Sequence, residues 1–278
     1  MDLGGRIGAL ANKCKKINEG DYIKDGLYYC GKCNTPKQTK VFMVGFGYEM
    51  MPFVPCKCEN ERIAKEEQER KQRELMDRIS DLKKMGFPDR ELSKCTFELD
   101  DRKNEKISNV MKNYADNFNS FRAKGKGLLL YGNVGAGKSF LSACVVNALI
   151  EKGIPCLMTN FARLTNIING MFEGKQDYID SLNDFDLLVI DDLGAERDTE
   201  FMNETVHNII DSRSRAGKPL IITTNLTADQ LKNPADINKE RVYSRLFEMC
   251  IPIEVTGVDR RKKKLTADYG EFKDILGL

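Results

Sequence analysis

The sequence is poor in long apolar runs and in net charge, and both deficits restrict what the protein does. No stretch of its 278 residues approaches the roughly 18 apolar residues of a membrane span, so we expect no transmembrane helix. Lys and Arg total 44 against 42 acidic residues, which gives a net charge of +2. This balance argues against a protein that coats nucleic acid and against an acidic tail, so any DNA contact must be local.

Targeting signals and repeats are also missing. The opening segment MDLGGRIGAL has no sustained apolar core of the kind found in secretory signal peptides, and we find no internal repeat. Nine cysteines without such a signal predict a reducing compartment, the cytoplasm. The length and the 41% apolar content predict one large domain plus a small appendage.

A glycine-rich turn, GNVGAGKS, directly follows the apolar run LLLY and precedes a segment with apolar residues at helical spacing. It fits the pattern G-x-x-x-x-G-K-S in full, and this context disfavours a chance match. Such a loop turns backbone N–H groups inward around phosphates. We predict nucleotide contacts from Gly132, Asn133, Val134, Gly135, Ala136, Gly137, Lys138 and Ser139. Lys138 would reach the β- and γ-phosphates of ATP, and Ser139 would bind Mg²⁺.

A second apolar run, LLVI, ends in the adjacent acids Asp191 and Asp192. Burying either carboxylate without a partner is costly, so a positive group is expected beside them. Nucleotide-bound Mg²⁺ would be that group, held by Asp191 through a water, while Asp192 or a nearby acid would orient or deprotonate the attacking water. Taken alone, the acidic pair fits a solvent-facing turn equally well.

Apolar runs alternate with helical patterns from Gly127 onward, in the order GLLLYG, PCLMTN, FDLLVIDD, KPLIITTN and MCIPIEV. This alternation predicts an α/β fold, a parallel sheet with helices on both faces. Function should gather at the carboxyl ends of the strands, where Asn225 closes ITTN. Asn225 either holds a water beside the γ-phosphate or caps the following helix, and the residues alone favour neither reading.

Two cysteine pairs, CGKC and CKC, are separated by 22 residues near the amino terminus. Cys30, Cys33, Cys56 and Cys58 would supply a tetrahedral sulfur set for Zn²⁺. The segment between the pairs alternates loosely enough for a hairpin, so zinc would stabilise a module too small for its own core. Free structural thiols and a redox pair are the alternatives, and the single residue inside CKC weakens the zinc assignment slightly.

The segment after the second cysteine pair, ENERIAKEEQERKQRELMDRISDLKKMG, is dense in mixed charge and predicts a helix. Its apolar stripe is too short for a coiled coil, which favours a solvated connector over a partner-binding segment.

The chain contains four sequence blocks in the order GNVGAGKS, LLVIDDLG, ITTN and ERVYSRLFEMC. In order and spacing they resemble those of the AAA+ ATPases of the DnaC helicase-loader and IstB transposition-helper group. The resemblance covers about residues 95–261 and implies a P-loop AAA+ fold that binds ATP and Mg²⁺. It makes Asn225 similar to the water-holding sensor I residue. It also makes Arg245 similar to the arginine finger that completes a neighbouring subunit's site, with Arg241 in a related contact. Without the resemblance both arginines would be surface residues.

The sequence departs from the group in two places. Asp192 stands where many AAA+ proteins have Glu, which implies slow hydrolysis, stimulated by DNA or a partner. Only 23 residues follow Val255, too few for a full helical lid. Arg260 or Arg261 would take the sensor II position on the nucleotide, and the basic run 260–264 is either a solvated face or a contact for DNA phosphates.

We therefore interpret the chain as a loader of a replicative DNA helicase. The predicted parts are a zinc-binding partner module at 1–58, a charged helical linker at 59–94 and an AAA+ ATPase domain at 95–278. The module would grip the helicase, and the ATPase would contact single-stranded DNA and self-associate through Arg245. The alternatives are an IstB-like transposition helper and a nucleotide-gated DNA- or partner-binding module with negligible turnover.

Overall fold

A computed structural model of the chain describes residues 17–43, 45, 47–194, 199–234, 236–257, 259 and 273. The chain divides into two compact units, Met1–Met76 and Asp77–Leu278. In the described residues, no helix combines the length and the apolar character needed to cross a membrane.

The smaller unit contains two antiparallel hairpins. Strand β1 (Tyr22–Lys24) pairs with β2 (Leu27–Tyr29), and β3 (Val41–Met43) pairs with β4 (Tyr48–Met50). The second hairpin confirms the one predicted between the cysteine pairs. The first was not predicted, although its Asp-Gly turn, with φ of 51° and 76°, is the two-residue left-handed turn that twisted hairpins favour.

The predicted charged helix is confirmed as α1 (Lys57–Gly86), 30 residues long. Its first half is exposed and carries ion pairs one turn apart, such as Arg62 with Glu66. Such exposed pairs stabilise a helix only slightly, which suits a solvated segment. Near its carboxyl end Ile79 and Leu82 pack against the core of the larger unit.

A parallel five-stranded sheet forms the centre of the larger unit. Its strands are β5 (Gly127–Tyr131), β6 (Cys156–Asn160), β7 (Leu187–Leu193), β8 (Leu220–Thr224) and β9 (Cys250–Glu254). They lie in the order β6-β7-β8-β5-β9, and every neighbouring pair is parallel. These are the five predicted runs, and their carboxyl ends therefore share one edge of the sheet.

Helices cover both faces of this sheet, which confirms the predicted fold class. They are α2 (Glu105–Asp116), α3 (Phe118–Ala123), α4 (Lys138–Glu151), α5 (Phe161–Asn169), α6 (Lys175–Ser181), α7 (Glu200–Arg215), α8 (Ala228–Lys232) and α9 (Ile237–Met249). Side chains alternate across a strand. Leu128 and Leu130 accordingly join the core under α2, α3 and α4, whereas Leu129 joins the core under α5, α6, α7 and α9.

A buried arginine fixes α7 against the base of the sheet. Arg213 is 1% exposed and donates hydrogen bonds to the backbone carbonyls of Leu182, Phe185, Asp186 and Pro219. Burial lowers the pKa of its guanidinium to about 10, so the group keeps its charge and its donors at neutral pH. Because these carbonyls precede β7 and β8, Arg213 anchors the carboxyl half of α7 to the starts of both strands.

Candidate functional site

The glycine-rich turn joins the carboxyl end of β5 to the first residue of α4. Gly132, Gly135 and Gly137 have φ of 130°, 72° and 98°, values that residues with a side chain rarely adopt. A Cβ atom on Gly132 would also lie 2.5 Å from the carbonyl oxygen of Val255. The loop therefore needs glycine at this position both for its backbone conformation and for space.

Lys138 connects the loop to the end of β8. Its Nζ atom donates to the carbonyl oxygens of Gly132 and Asn133 and to Oδ1 of Asn225, each at 2.8 Å. The residue is only 5% exposed. The fold thus brings together two predicted site residues that lie 87 positions apart in the sequence.

The predicted Mg²⁺ ligands also meet. The Ser139 hydroxyl donates to Asp191 Oδ1 at 2.9 Å. The hydroxyl of Ser139 and the carboxylate of Asp191 therefore lie side by side, where the hydroxyl would bind Mg²⁺ directly and the carboxylate would bind it through a water.

The electrostatics of Asp191 also suit a cation. Burial raises the pKa of this carboxyl, hydrogen bonds from Thr223 and Ser139 lower it, and the charge of Asp192 raises it further. A bound divalent cation favours the ionised form of a neighbouring carboxylate. Asp191 is thus an acid whose charged form is costly in this site until a cation compensates it.

The backbone at Asp192 departs from the extended conformation of β7. Its φ is 58°, and the register between β7 and β8 shifts between Ile190 and Leu193. Irregularities of this kind aim a side chain in a new direction, and Asp tolerates a left-handed backbone better than most residues. Asp192 accordingly borders an open pocket of about 300 Å³, together with residues 134–140 and Asn225.

Thr223 belongs to this site and was missed by the sequence analysis. Its hydroxyl donates to Asp191 Oδ1 and accepts a hydrogen bond from the backbone N–H of Asp192 at 3.0 Å. The signal lay in the motif ITTN. Thr223 lies in that block two residues before Asn225, at the carboxyl end of β8, where the predicted site residues were expected to gather.

The predicted arginines lie elsewhere. Arg245 sits on α9 and pairs with Glu248 on the same helix and with Asp211 on α7, and it is not among the described residues that border the P-loop pocket. Arg241 lines a separate pocket between α7 and α9. Arg260 and Arg261 lie outside the described residues. The roles of all four arginines stay predictions.

The four predicted cysteine ligands form a cluster in the smaller unit. The thiols of Cys30, Cys33, Cys56 and Cys58 all lie within 4.8 Å of one another. Cys56 Sγ lies 3.4 Å and Cys30 Sγ lies 3.6 Å from Cys58 Sγ, well beyond the ~2.05 Å of a disulfide. Sulfurs bound at about 2.3 Å to a tetrahedral Zn²⁺ ion lie ~3.8 Å apart, so this donor set fits zinc.

The surroundings of the cluster lower the pKa of two of its thiols and raise the pKa of the other two. Backbone N–H groups of Cys33 and Lys32 lower the pKa of the Cys30 thiol, and the Thr35 hydroxyl helps to lower the pKa of Cys33 to about 5. Burial raises the pKa of Cys56, and the neighbouring thiols, Cys56 first, raise that of Cys58 to about 12. Four thiolates this close repel one another, and a dication at their centre would offset that repulsion.

Metal content tests the zinc assignment. We expect about one zinc ion per chain in the purified protein and much less in a Cys33→Ser variant, whose smaller unit should become more sensitive to proteolysis. ATP affinity should not change, because the nucleotide site lies in the other unit. Cys95→Ser, which removes a half-buried thiol outside the cluster, is the control for both measurements. Zinc-free protein prepared without chelators would contradict the assignment.

Comparisons with known proteins find relatives of this chain among helicase loaders. The replicative helicase loader DnaI of Bacillus subtilis (strain 168) is 24% identical over 209 residues, covering 70% of this chain and 65% of DnaI. The replicative helicase loader DnaC of Buchnera aphidicola subsp. Schizaphis graminum is 28% identical over 160 residues, covering 55% of this chain and 63% of DnaC. The matches thus span a little under two thirds of each relative.

Solved structures and a family model identify the fold and the family. The crystal structure of DnaI aligns with a TM-score of 0.52 and 23% identity over 62% of this chain and 96% of that one. The crystal structure of the DnaC helicase loader aligns with a TM-score of 0.51 and 24% identity, over 60% of this chain and 99% of that one. At these identities the similarity shows the fold, that of AAA+ P-loop NTPases. The family model for IstB-like ATP binding proteins matches residues 57–267, which include the P-loop, the acidic end of β7 and the Thr-Thr-Asn end of β8. The chain therefore belongs to the family of IstB-like ATP binding proteins.

Proposed function

We propose that this protein is an ATP-dependent loader of a replicative DNA helicase. The convergence of Lys138, Ser139, Asp191 and Asn225 at one sheet edge carries the proposal, because the residues predicted to contact phosphate, metal and water lie together there. Family membership and the helicase-loader function of the relatives DnaI and DnaC support it further.

Nucleotide binding would rearrange the contacts of Lys138. The lysine now donates to two loop carbonyls and to Asn225. Its approach to the β- and γ-phosphates would release the Asn225 side chain, which can then hold a water beside the γ-phosphate. Ser139 and Asp191 would hold Mg²⁺, which supplies positive charge against the phosphate oxygens, and Asp192 would accept a proton from the attacking water.

The smaller unit would bind the helicase. Its hairpins expose several large apolar side chains, including Ile23, Phe42 and Tyr48. Large exposed apolar side chains are candidates for protein contacts. The cysteine cluster would keep the two hairpins in place, so that this surface is rigid before the partner arrives.

Replacing one of these side chains tests the partner surface. Phe42, which is 60% exposed, should contribute little to folding, so Phe42→Asp is expected to weaken capture of the hexameric replicative helicase from the same source at least about 10-fold. Leu99→Asp changes an equally exposed apolar residue, 67% accessible, in the larger unit and should leave capture unchanged. Capture of a transposase in place of the helicase would favour the IstB-like alternative.

Self-association and DNA binding complete the proposal. Arg245 would supply charge to the nucleotide site of a neighbouring subunit, and the contact with single-stranded DNA would be local. The shorter acid at Asp192 favours slow turnover that DNA or the partner stimulates. ATP turnover measured with and without single-stranded DNA distinguishes this enzyme from a nucleotide-gated binding module, for which both rates would be negligible.

A further inference from the structure

Arg245 contacts two carboxylates in unlike surroundings. Its NH1 donates to Glu248 Oε2 at 2.9 Å, and its NH2 lies 3.4 Å from Asp211 Oδ1. The Glu248 side chain is 64% exposed, whereas that of Asp211 is 19% exposed. An exposed pair is screened by solvent and costs side-chain entropy, so the shorter contact with Glu248 is the easier one to break.

Asp211 is held in place far better than Glu248. Its second oxygen, Oδ2, lies 2.9 Å from Arg215 NH2, so each oxygen of the carboxylate faces one arginine. Two residues along α7, Arg213 ties the helix to carbonyls at the starts of β7 and β8. The carboxylate of Asp211 is therefore a fixed point beside Arg245, on a helix anchored to the sheet.

We infer that Asp211 is a positioning residue for Arg245, and that Glu248 is the partner that Arg245 releases when it reaches a nucleotide on a neighbouring subunit. The inference rests on the proposed role of Arg245 in such a site. A guanidinium has five N–H donors in a rigid fork, so one contact with Asp211 leaves donors for a phosphate oxygen. Glu248 would compete for those donors, whereas Asp211 fixes the direction in which they point.

The positioning role can be measured only in the chain that donates the arginine. In a mixture, an acceptor chain carrying Arg245→Ala offers an intact P-loop, and a donor chain carrying Lys138→Ala offers an intact arginine. Adding Asp211→Asn to the donor alone is expected to lower turnover by about 10-fold, since small misplacements of a catalytic group are costly. It should also weaken ATP-dependent assembly of the mixture, measured by sedimentation with a non-hydrolysable ATP analogue.

Matched variants separate positioning from structural damage. Asp184→Asn in the donor removes an exposed carboxylate away from Arg245 and should change nothing, and Glu248→Gln in the donor should leave turnover equal or higher. Asp211→Asn in the acceptor, whose arginine is already absent, should have no effect. The melting temperature of an otherwise unchanged Asp211→Asn chain should lie within a few degrees of the parent value, and its ATP affinity should equal that of the parent.

The outcomes distinguish this inference from the proposal beneath it. If the mixture without Asp211→Asn is inactive, the shared site fails and the positioning role fails with it. If that mixture is active and Asp211→Asn in the donor changes neither turnover nor assembly, the positioning role is wrong while the shared site stands. A loss of equal size with the substitution in either chain would mean a structural effect and would also overturn the inference.

Discussion

Lys138→Ala is expected to bind ATP at least about 100-fold more weakly than the parent protein, because it removes the charged donor for the β- and γ-phosphates. Charge-assisted hydrogen bonds to phosphate contribute about 1.5–3 kcal/mol each, and Lys138 would make more than one. The measurement is nucleotide affinity by titration calorimetry. Affinity equal to that of the parent would refute the P-loop assignment.

The fold should survive this substitution. Lys138 is nearly buried, but its Nζ donates to Gly132, Asn133 and Asn225 around a pocket open to water, so water can replace the ammonium group at these acceptors. We expect a melting temperature within a few degrees of the parent value, consistent with a loss of about 1 kcal/mol. Lys106→Ala, which removes an exposed lysine on α2, controls for the change of net charge.

Arg245→Ala is expected to lower ATP turnover about 1000-fold or more in assemblies, while the ATP affinity of the isolated subunit stays at the parent value. Arginines that act in phosphoryl transfer contribute effects of this size when a neighbouring molecule supplies them. Arg245 suits such a role because it is 43% exposed on α9, outside the set of described residues that border its own P-loop pocket. The variant should also fail to assemble on single-stranded DNA.

Mixing Arg245→Ala with Lys138→Ala is the decisive experiment. Each chain lacks one half of the composite site, so a mixed assembly contains some sites with an intact loop and an intact arginine. We expect partial recovery of turnover, although neither variant alone is active. The control is the parent protein, which must assemble and hydrolyse ATP under the same conditions. If the mixture is then as inactive as each variant alone, Arg245 does not act across the interface and is a structural surface residue.

The predicted strands and the linker helix were accessible from the sequence because their signals are local. Each run of apolar residues ended at the next glycine or polar group, and in the structure β5 to β9 follow those runs closely. The hairpin β1–β2 was missed although its Asp-Gly turn is also a local signal.

The sequence by itself determined the conformation of the glycine-rich loop and which four cysteines form the cluster. In both cases the spacing of a few neighbouring residues fixes the geometry, through glycine's backbone freedom and through the short reach between paired thiols. Family resemblance then implied roles for Asn225 and Arg245 that their local sequence does not indicate, and these roles stay predictions.

Only the tertiary structure decided which distant groups meet. The contacts of Thr223 with Asp191, of Lys138 with Asn225 and of Asp211 with Arg245 each join elements far apart in the chain. They depend on strand order, on the bulge at Asp192 and on the packing of α7 beside α9. No local pattern encodes such contacts, because they follow from how buried surfaces of separate elements fit together, whereas a propensity or a motif describes one segment alone.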